Sequence, residues 1–314
     1  MNIGWIGLGN IGGVMASNLL KAGYHLFVHD LEYKAAEKLL ASGAKWADTP
    51  RALAEKSDTV ISSLPGPPQV RAVMEGEHGV FAGIRKGCTW IDMSTTDAEE
   101  VERLGKIASG KGVSVLEAPL TGGVTLAKTG GITILVGGEK EVFEAQLPML
   151  RKIGGRILLM GPLGSASVVK VITNLLALGH LIMAGEAFML GNQAGIDPKA
   201  LLEGIQASSG NSYTIEKEMP LVYNGSYDVG FSMALACKDL GLTMKHARKY
   251  GVPLELGALV EQIFIRAKKQ YGDAANSTQA VKLLEDAMNV YLRTTGYEDF
   301  RSTGARNLEN LAQK

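Results

Sequence analysis

Two hydrophobic periods run along this chain, one in its first half and another in its second. Short apolar runs recur at Ile3–Ile6, Tyr24–His29, Thr59–Leu64, Thr89–Met93, Ser114–Ala118, Ile132–Val136 and Arg156–Met160. Runs of this length, mostly closed by Gly, Pro, Ser or Asp, read as strands buried on both faces. Between most of them lie amphipathic stretches, such as Lys34–Leu40 and Ala98–Ser109, where apolar residues return at helical spacing. Strand and helix in alternation predict an α/β domain with a parallel sheet wound on both sides. Gly161-Pro162-Leu163-Gly164 breaks the pattern, and the remainder of the chain is helical almost throughout, as at Pro198–Gln206, Leu235–Tyr250, Gly257–Tyr271 and Thr278–Leu292. The expected division is therefore 1–163 for the α/β domain, 164–296 for a helical domain that opens with a long connecting helix, and 297–314 for a polar, peripheral tail.

The first strand runs straight into Gly7-Leu8-Gly9-Asn10-Ile11-Gly12, and a helix with Val14, Met15, Leu19 and Leu20 on one face comes next, stopped by Lys21-Ala22-Gly23. Strand, glycine turn and helix make a dinucleotide fingerprint. Gly7 permits the tight turn, Gly9 lets a pyrophosphate approach the backbone, and Gly12 lets helix and strand pack closely. The second strand ends at Asp30, about 20 residues beyond the glycines, where a carboxylate meets the adenosine ribose hydroxyls. A Rossmann-type domain that holds NAD is the expectation. A carboxylate at that place repels a 2′-phosphate, and His29 and Leu31 offer no arginine to hold one, so NADP is the less favoured cofactor.

At 314 residues the chain exceeds one typical domain. Lys plus Arg and Asp plus Glu number 32 each, and this balance, with no basic run, argues against nucleic acid as a partner. The two cysteines, Cys88 and Cys237, are far apart, and the five histidines form no metal-ligand spacing, so neither a disulfide framework nor a metal is expected. The fingerprint starts almost at Met1, leaving no room for a cleavable leader, and the cytoplasm is the expected compartment. Val168–Leu190 has the length and apolarity of a membrane span but carries Lys170, Asn174, His180 and Glu186. Groups of that kind along a span are costly in lipid, so the segment reads as a buried helix, with no membrane partner.

Three further clusters carry candidate chemistry. Thr121-Gly122-Gly123 follows a strand and Pro119, a setting in which backbone N–H groups point into the crevice at a strand's carboxyl end. Lys170 sits among Val168, Val169, Val171 and Ile172 with Asn174 one turn later on the same face. An amine in such a place is desolvated, which favours its neutral form and suits it to proton exchange. Lys238-Asp239 falls within a helical pattern.

Gly7 through Leu19, Glu117-Ala118-Pro119-Leu120-Thr121-Gly122-Gly123, Gly161 through Lys170 to Asn174, and Lys238-Asp239-Leu240-Gly241-Leu242 resemble, in order, the four signatures of the β-hydroxyacid dehydrogenases. The resemblance covers roughly residues 3 to 290. It implies a nucleotide domain, a helical second domain that supports a homodimer or homotetramer, and a cleft between them for nicotinamide and a small hydroxy acid or semialdehyde. It makes Lys170 the general acid/base, with Asn174 beside it, and gives the substrate carboxylate to Thr121, Gly122 and Gly123. Gly7, Leu8, Gly9, Asn10, Ile11, Gly12, Asp30, Leu64, Pro65, Ser94, Thr95, Lys238 and Asp239 are the implied cofactor contacts. Asn211, Ser212 and Phe231 are weaker implied substrate contacts. The family usually has Ser at the place of Thr121 and Asp at the place of Glu117. An imine reductase, a reductive aminase, an NADPH-dependent semialdehyde reductase or a non-catalytic nucleotide binder are the alternatives on this scaffold. Imine reductases generally replace the lysine, and Lys170 is intact.

Overall fold

The computed structural model describes residues 1–300, which fall into two compact units divided after Lys170. The division lies inside the long helix that the sequence assigns to the helical domain from residue 164.

The first unit runs β1 (Asn2–Ile6), α1 (Gly12–Lys21), β2 (His25–His29), a 3-10 turn at Tyr33–Ala36, α2 (Glu37–Ala41), β3 (Lys45–Trp46), α3 (Pro50–Ala54), β4 (Thr59–Ser62), α4 (Pro67–Glu75), β5 (Thr89–Asp92), α5 (Ala98–Gly110), β6 (Ser114–Glu117), β7 (Leu120–Thr121), α6 (Gly123–Lys128), β8 (Thr133–Gly138), α7 (Lys140–Leu150) and β9 (Arg156–Gly161). The sheet order is β3-β2-β1-β4-β5-β6-β8-β7, with β9 beside β8. β3 through β6 are parallel, with the order reversing about β1 as in a dinucleotide-binding sheet. β8 departs from the all-parallel expectation, running antiparallel to both β6 and β7. The reason is local: Gly122 and Gly123 reverse the chain after β7, and α6 is too short to carry it back across the sheet for a parallel return.

Alternate residues of each strand feed opposite cores. Ile3, Trp5, Ile61, Ile91 and Leu116 join Met15 and Leu19 of α1 on one face. Ile6, Val60 and Trp90 join Leu53, Val70 and Leu104 on the other. A sheet buried on both sides explains why its strands read as near-continuous apolar runs.

The second unit continues α8 (Ser165–Gln193) and adds α9 (Pro198–Gln206), α10 (Tyr213–Lys217), α11 (Met219–Tyr223), α12 (Met233–Tyr250), α13 (Glu255–Tyr271) and α14 (Lys282–Met288). Its core joins Leu178, Leu181 and Phe188 of α8 to Leu202, Met219, Val222, Leu240 and Phe264. By length and composition α8 is apolar enough to cross a membrane, and its buried side is the spine of this core. The helix expected over Thr278–Leu292 is shorter. Ser277–Val281 is a 3-10 turn, and Asn289 in the left-handed region ends α14. Where the expected polar, peripheral tail begins, Tyr297 packs on Tyr223 at 5.6 Å between ring centroids, and Asn224 Nδ2 donates to the carbonyls of Tyr297 (3.0 Å) and Phe300 (2.7 Å). Residues 301–314 of that tail lie outside the described residues.

Candidate active site

Because β2, β1, β4 and β5 are parallel neighbours, the segments leaving their carboxyl ends share one side of the sheet. These are Asp30 after β2, Gly7–Gly12 after β1, Leu64 and Pro65 after β4, and Ser94 and Thr95 after β5. The three glycines do different work. A Cβ on Gly7 would lie 2.2 Å from the Ser63 carbonyl oxygen, and one on Gly12 would lie 2.2 Å from that of Gly7; one on Gly9 meets nothing within 4 Å. Two glycines allow packing, and the third faces open space. α1 starts with neither a side-chain cap nor an acid in its first turn, so no side chain there competes with an anion for its N-terminal dipole, while the Gly13 N–H donates to the Gly9 carbonyl oxygen at 3.0 Å. These residues fit the pyrophosphate of a dinucleotide.

Asp30 fixes the glycine loop as well. Its Oδ2 accepts the Leu8 N–H at 2.6 Å and its Oδ1 the Glu32 N–H at 3.0 Å. A carboxylate has about four acceptor sites, so ribose hydroxyls can still find one. Asp92, which belongs to none of the sequence motifs, organises the neighbouring loops. Fully buried at the end of β5, it accepts the hydroxyls of Ser62 (2.8 Å) and Ser94 (2.6 Å), while the Ser94 oxygen accepts the Leu64 N–H (2.9 Å). The loops after β4 and β5 are tied together through that carboxylate. Its one signal in sequence is an acid closing an otherwise apolar strand, Thr89-Trp90-Ile91-Asp92.

Thr121 lies in β7 and pairs with Thr133, and Gly122 and Gly123 turn the chain into α6 with φ of +120° and +75°. Successive peptides in such conformations can form an anion-binding nest. Glu117, buried at the end of β6, accepts the N–H groups of Ala166 and Ser167 and the Ser167 hydroxyl at the start of α8. Burial pushes its carboxyl pKa up, and the bonds from Ser167 and Ala166 oppose that shift. Lys170 comes in the second turn of α8 and is 8% exposed.

In the second unit Asn174, on the face of α8 that Lys170 shares, donates through Nδ2 to Asp239 Oδ2 on α12. Asp239, 2% exposed, also pairs with Lys238 Nζ at 2.9 Å. The Thr243 hydroxyl bridges the carbonyl oxygens of Val171 (3.2 Å) and Asp239 (2.9 Å), securing α12 against α8. The structure thus brings Asn174, Lys238 and Asp239 together. Asn211, Ser212 and Phe231 have local engagements: Asn211 Nδ2 donates to Glu216 (2.8 Å), Ser212 caps α10 by accepting the Ile215 N–H, and Phe231 packs at the rim of the helical core.

Known proteins match this arrangement over nearly the whole chain. Residues 2–161 match the family model described as the NAD binding domain of 6-phosphogluconate dehydrogenase, and residues 164–284 the one described as NAD-binding of NADP-dependent 3-hydroxyisobutyrate dehydrogenase. The chain is 36% identical over 265 residues to the 2-(hydroxymethyl)glutarate dehydrogenase of Eubacterium barkeri, covering 84% of this chain and 88% of that one. It is 36% identical over 272 residues to the 3-hydroxyisobutyrate dehydrogenase of Pseudomonas aeruginosa, covering 84% and 91%. The solved Mycobacterium tuberculosis 3-hydroxyisobutyrate dehydrogenase with L-serine superposes with a TM-score of 0.83 at 28% identity, over 90% of this chain and 98% of that one.

Proposed function

This chain belongs to the β-hydroxyacid dehydrogenases, and we propose that it transfers hydride between NAD and a small 3-hydroxy acid or its semialdehyde, with Lys170 as general acid/base. The observation that carries the role of Lys170 is an amine buried in the second turn of α8, on the helical face of Asn174, itself bound to Asp239. When bound, the dinucleotide supplies or accepts the hydride at its nicotinamide ring. In oxidation the neutral Lys170 amine takes the proton of the substrate hydroxyl; in reduction its ammonium returns one to the forming alkoxide. Asn174, held by Asp239, orients the amine or the substrate oxygen. The N–H groups of Thr121, Gly122 and Gly123 hold the substrate carboxylate, and the methyl group of Thr121 narrows that site relative to Ser. Asn211, Ser212 and Phe231 shape the far end of the substrate pocket. Lys238 and Asp239 contact the cofactor, together with the loops after β1, β2, β4 and β5.

NAD is favoured over NADP because the Asp30 carboxylate, anchored by Leu8 and Glu32, presents negative charge where a 2′-phosphate would lie. A homodimer or homotetramer is supported by Ile172, Leu176, Met183 and Leu190, large apolar side chains exposed at helical spacing along α8. A reducing cytoplasm suits the free thiols of Cys88 and Cys237.

The test is NADH formation over a panel of 2- and 3-hydroxy acids, with NADP in parallel and Lys170→Ala alongside. Wild type is expected to turn over a 3-hydroxy acid with NAD. Lys170→Ala is expected to lose roughly a thousandfold in turnover while still binding NAD. Undiminished turnover in that variant would remove Lys170 from the mechanism.

A further inference from the structure

A helix leaves its first N–H groups without intrahelical partners, and usually the residue just ahead of the helix supplies an acceptor. α8 takes its acceptor from the sheet. Glu117, the last residue of β6, accepts the Ala166 N–H at 2.8 Å, the Ser167 N–H at 3.1 Å and the Ser167 hydroxyl. Three donors from one turn converge on one carboxylate, and Glu117, Ala166 and Ser167 are all buried. β6 lies between β5 and β8, so this carboxylate fastens the helix start to the interior of the sheet.

Lys170 is the next turn of that helix. Within an α-helix its N–H bonds back to the carbonyl of Ala166, and a helical side chain leans toward the N-terminus, over the turn that Glu117 grips. The grip depends on a second residue. Gly137 lies opposite Glu117 in the β6–β8 register, and a Cβ there would sit 2.2 Å from Glu117 Oε1. The missing side chain at residue 137 opens the corridor through which Glu117 reaches α8.

We infer that Glu117 is a positioning residue for the reaction: by fastening the first turn of α8 to the end of β6, it sets the place from which Lys170 exchanges its proton. The inference rests on the role given to Lys170 above. A displacement of about 1 Å at a reacting group costs up to a hundredfold in rate.

The experiment compares Glu117→Gln, Ser167→Ala and Lys170→Ala in the full chain for thermal unfolding, NAD affinity, KM, kcat and the solvent deuterium isotope effect on kcat. Glu117→Gln keeps the size of the side chain but turns an NH₂ group toward a donor. Its kcat is expected to fall tenfold or more, with KM and NAD Kd within twofold of wild type and a larger solvent isotope effect. Ser167→Ala, which removes one of three donors, is expected to move kcat the same way by a few-fold, and it reads the same split should Glu117→Gln fail to fold. A kcat within twofold of wild type in both, with Lys170→Ala inactive, would overturn the inference about Glu117 alone. So would a loss of kcat matched by equal losses in KM and cofactor affinity, since that is general disorder rather than misplacement. Full turnover in Lys170→Ala would instead overturn the role of Lys170 on which the inference rests.

Discussion

The two units place their functional groups by different physics. In the first, the candidate cofactor loops are set by parallel strands that end together and by Gly7 and Gly12 in the turn after β1, with Asp30 and Asp92 as side-chain ties to backbone and hydroxyl groups of those same loops. In the second, the groups are set by side chains reaching between helices, with Asn174 on α8 bound to Asp239 on α12, Asp239 to Lys238, and Thr243 to the Val171 carbonyl. A site built from strand ends fails first at its glycines and at the few carboxylates that tie its loops. A site built from buried polar pairs fails wherever one member is removed.

The sharpest test within the first unit separates its glycines. Gly12→Ala drives a methyl group to within 2.2 Å of the Gly7 carbonyl oxygen, rigid backbone on both sides, and should cost about 3 kcal/mol or more in stability together with NAD binding. Gly9→Ala meets no protein atom within 4 Å and should leave the melting temperature unchanged while weakening NAD binding tenfold or more. Thermal unfolding with and without NAD checks both; a Gly9→Ala variant that binds NAD normally would deny Gly9 its place against the pyrophosphate.

Asp239→Ala is the counterpart in the second unit. It strips partners from the Lys238 ammonium and the Asn174 amide at once, and should cost about 3 kcal/mol in urea unfolding and at least tenfold in kcat. Unaltered kcat with reduced stability would confine Asp239 to holding α12 against α8.

Glu218, between α10 and α11, sharpens the contrast by pH. Burial pushes its pKa up from 4.5 to about 7. Between those values the native state binds more protons than the unfolded one, so stability falls as pH rises from about 4.5 toward 7 and levels off beyond. Glu218→Gln removes that titration and should raise the melting temperature by a few degrees at pH 8 but not at pH 4.5. Equal melting temperatures at pH 8 would mean that the ionised carboxylate is well solvated.

The same contrast explains what could be read in advance. Strand and helix periods revealed β1, β2, β4, β5, β6, β8 and β9 to within two residues at either end, because sheets buried on both faces write uninterrupted apolar runs. The fingerprint glycines were legible from their spacing between a strand and a helix; Gly7 and Gly12 answer a local steric need, whereas Gly9 faces open space. The antiparallel turn of β8 was not, since a two-residue strand such as β7 has no period to detect. Asp92 and the grip of Glu117 on Ser167 escaped for a related reason. Ser62 lies 30 residues from Asp92 and Ser167 lies 50 from Glu117, and nothing local specifies either long-range bond; the Ser94 hydroxyl, two residues beyond Asp92, is a local partner. Lys170 stood out because a charge in an apolar helix is costly; Thr243 did not, because a threonine there is unremarkable.

Ser212 carries the smallest expected effect and separates two roles that overlap in one side chain. Its hydroxyl accepts the Ile215 N–H and so caps α10, a helix of only five residues, Tyr213–Lys217. Loss of an N-cap costs about 1 kcal/mol. If Ser212 also touches substrate, Ser212→Ala should raise KM several-fold beyond that modest destabilisation, whereas Ser212→Asp, a competent cap, should restore stability without restoring KM. If it caps only, Ser212→Asp should return both to wild type. Paired melting and KM measurements on these variants decide whether this part of the second unit is scaffold or substrate site.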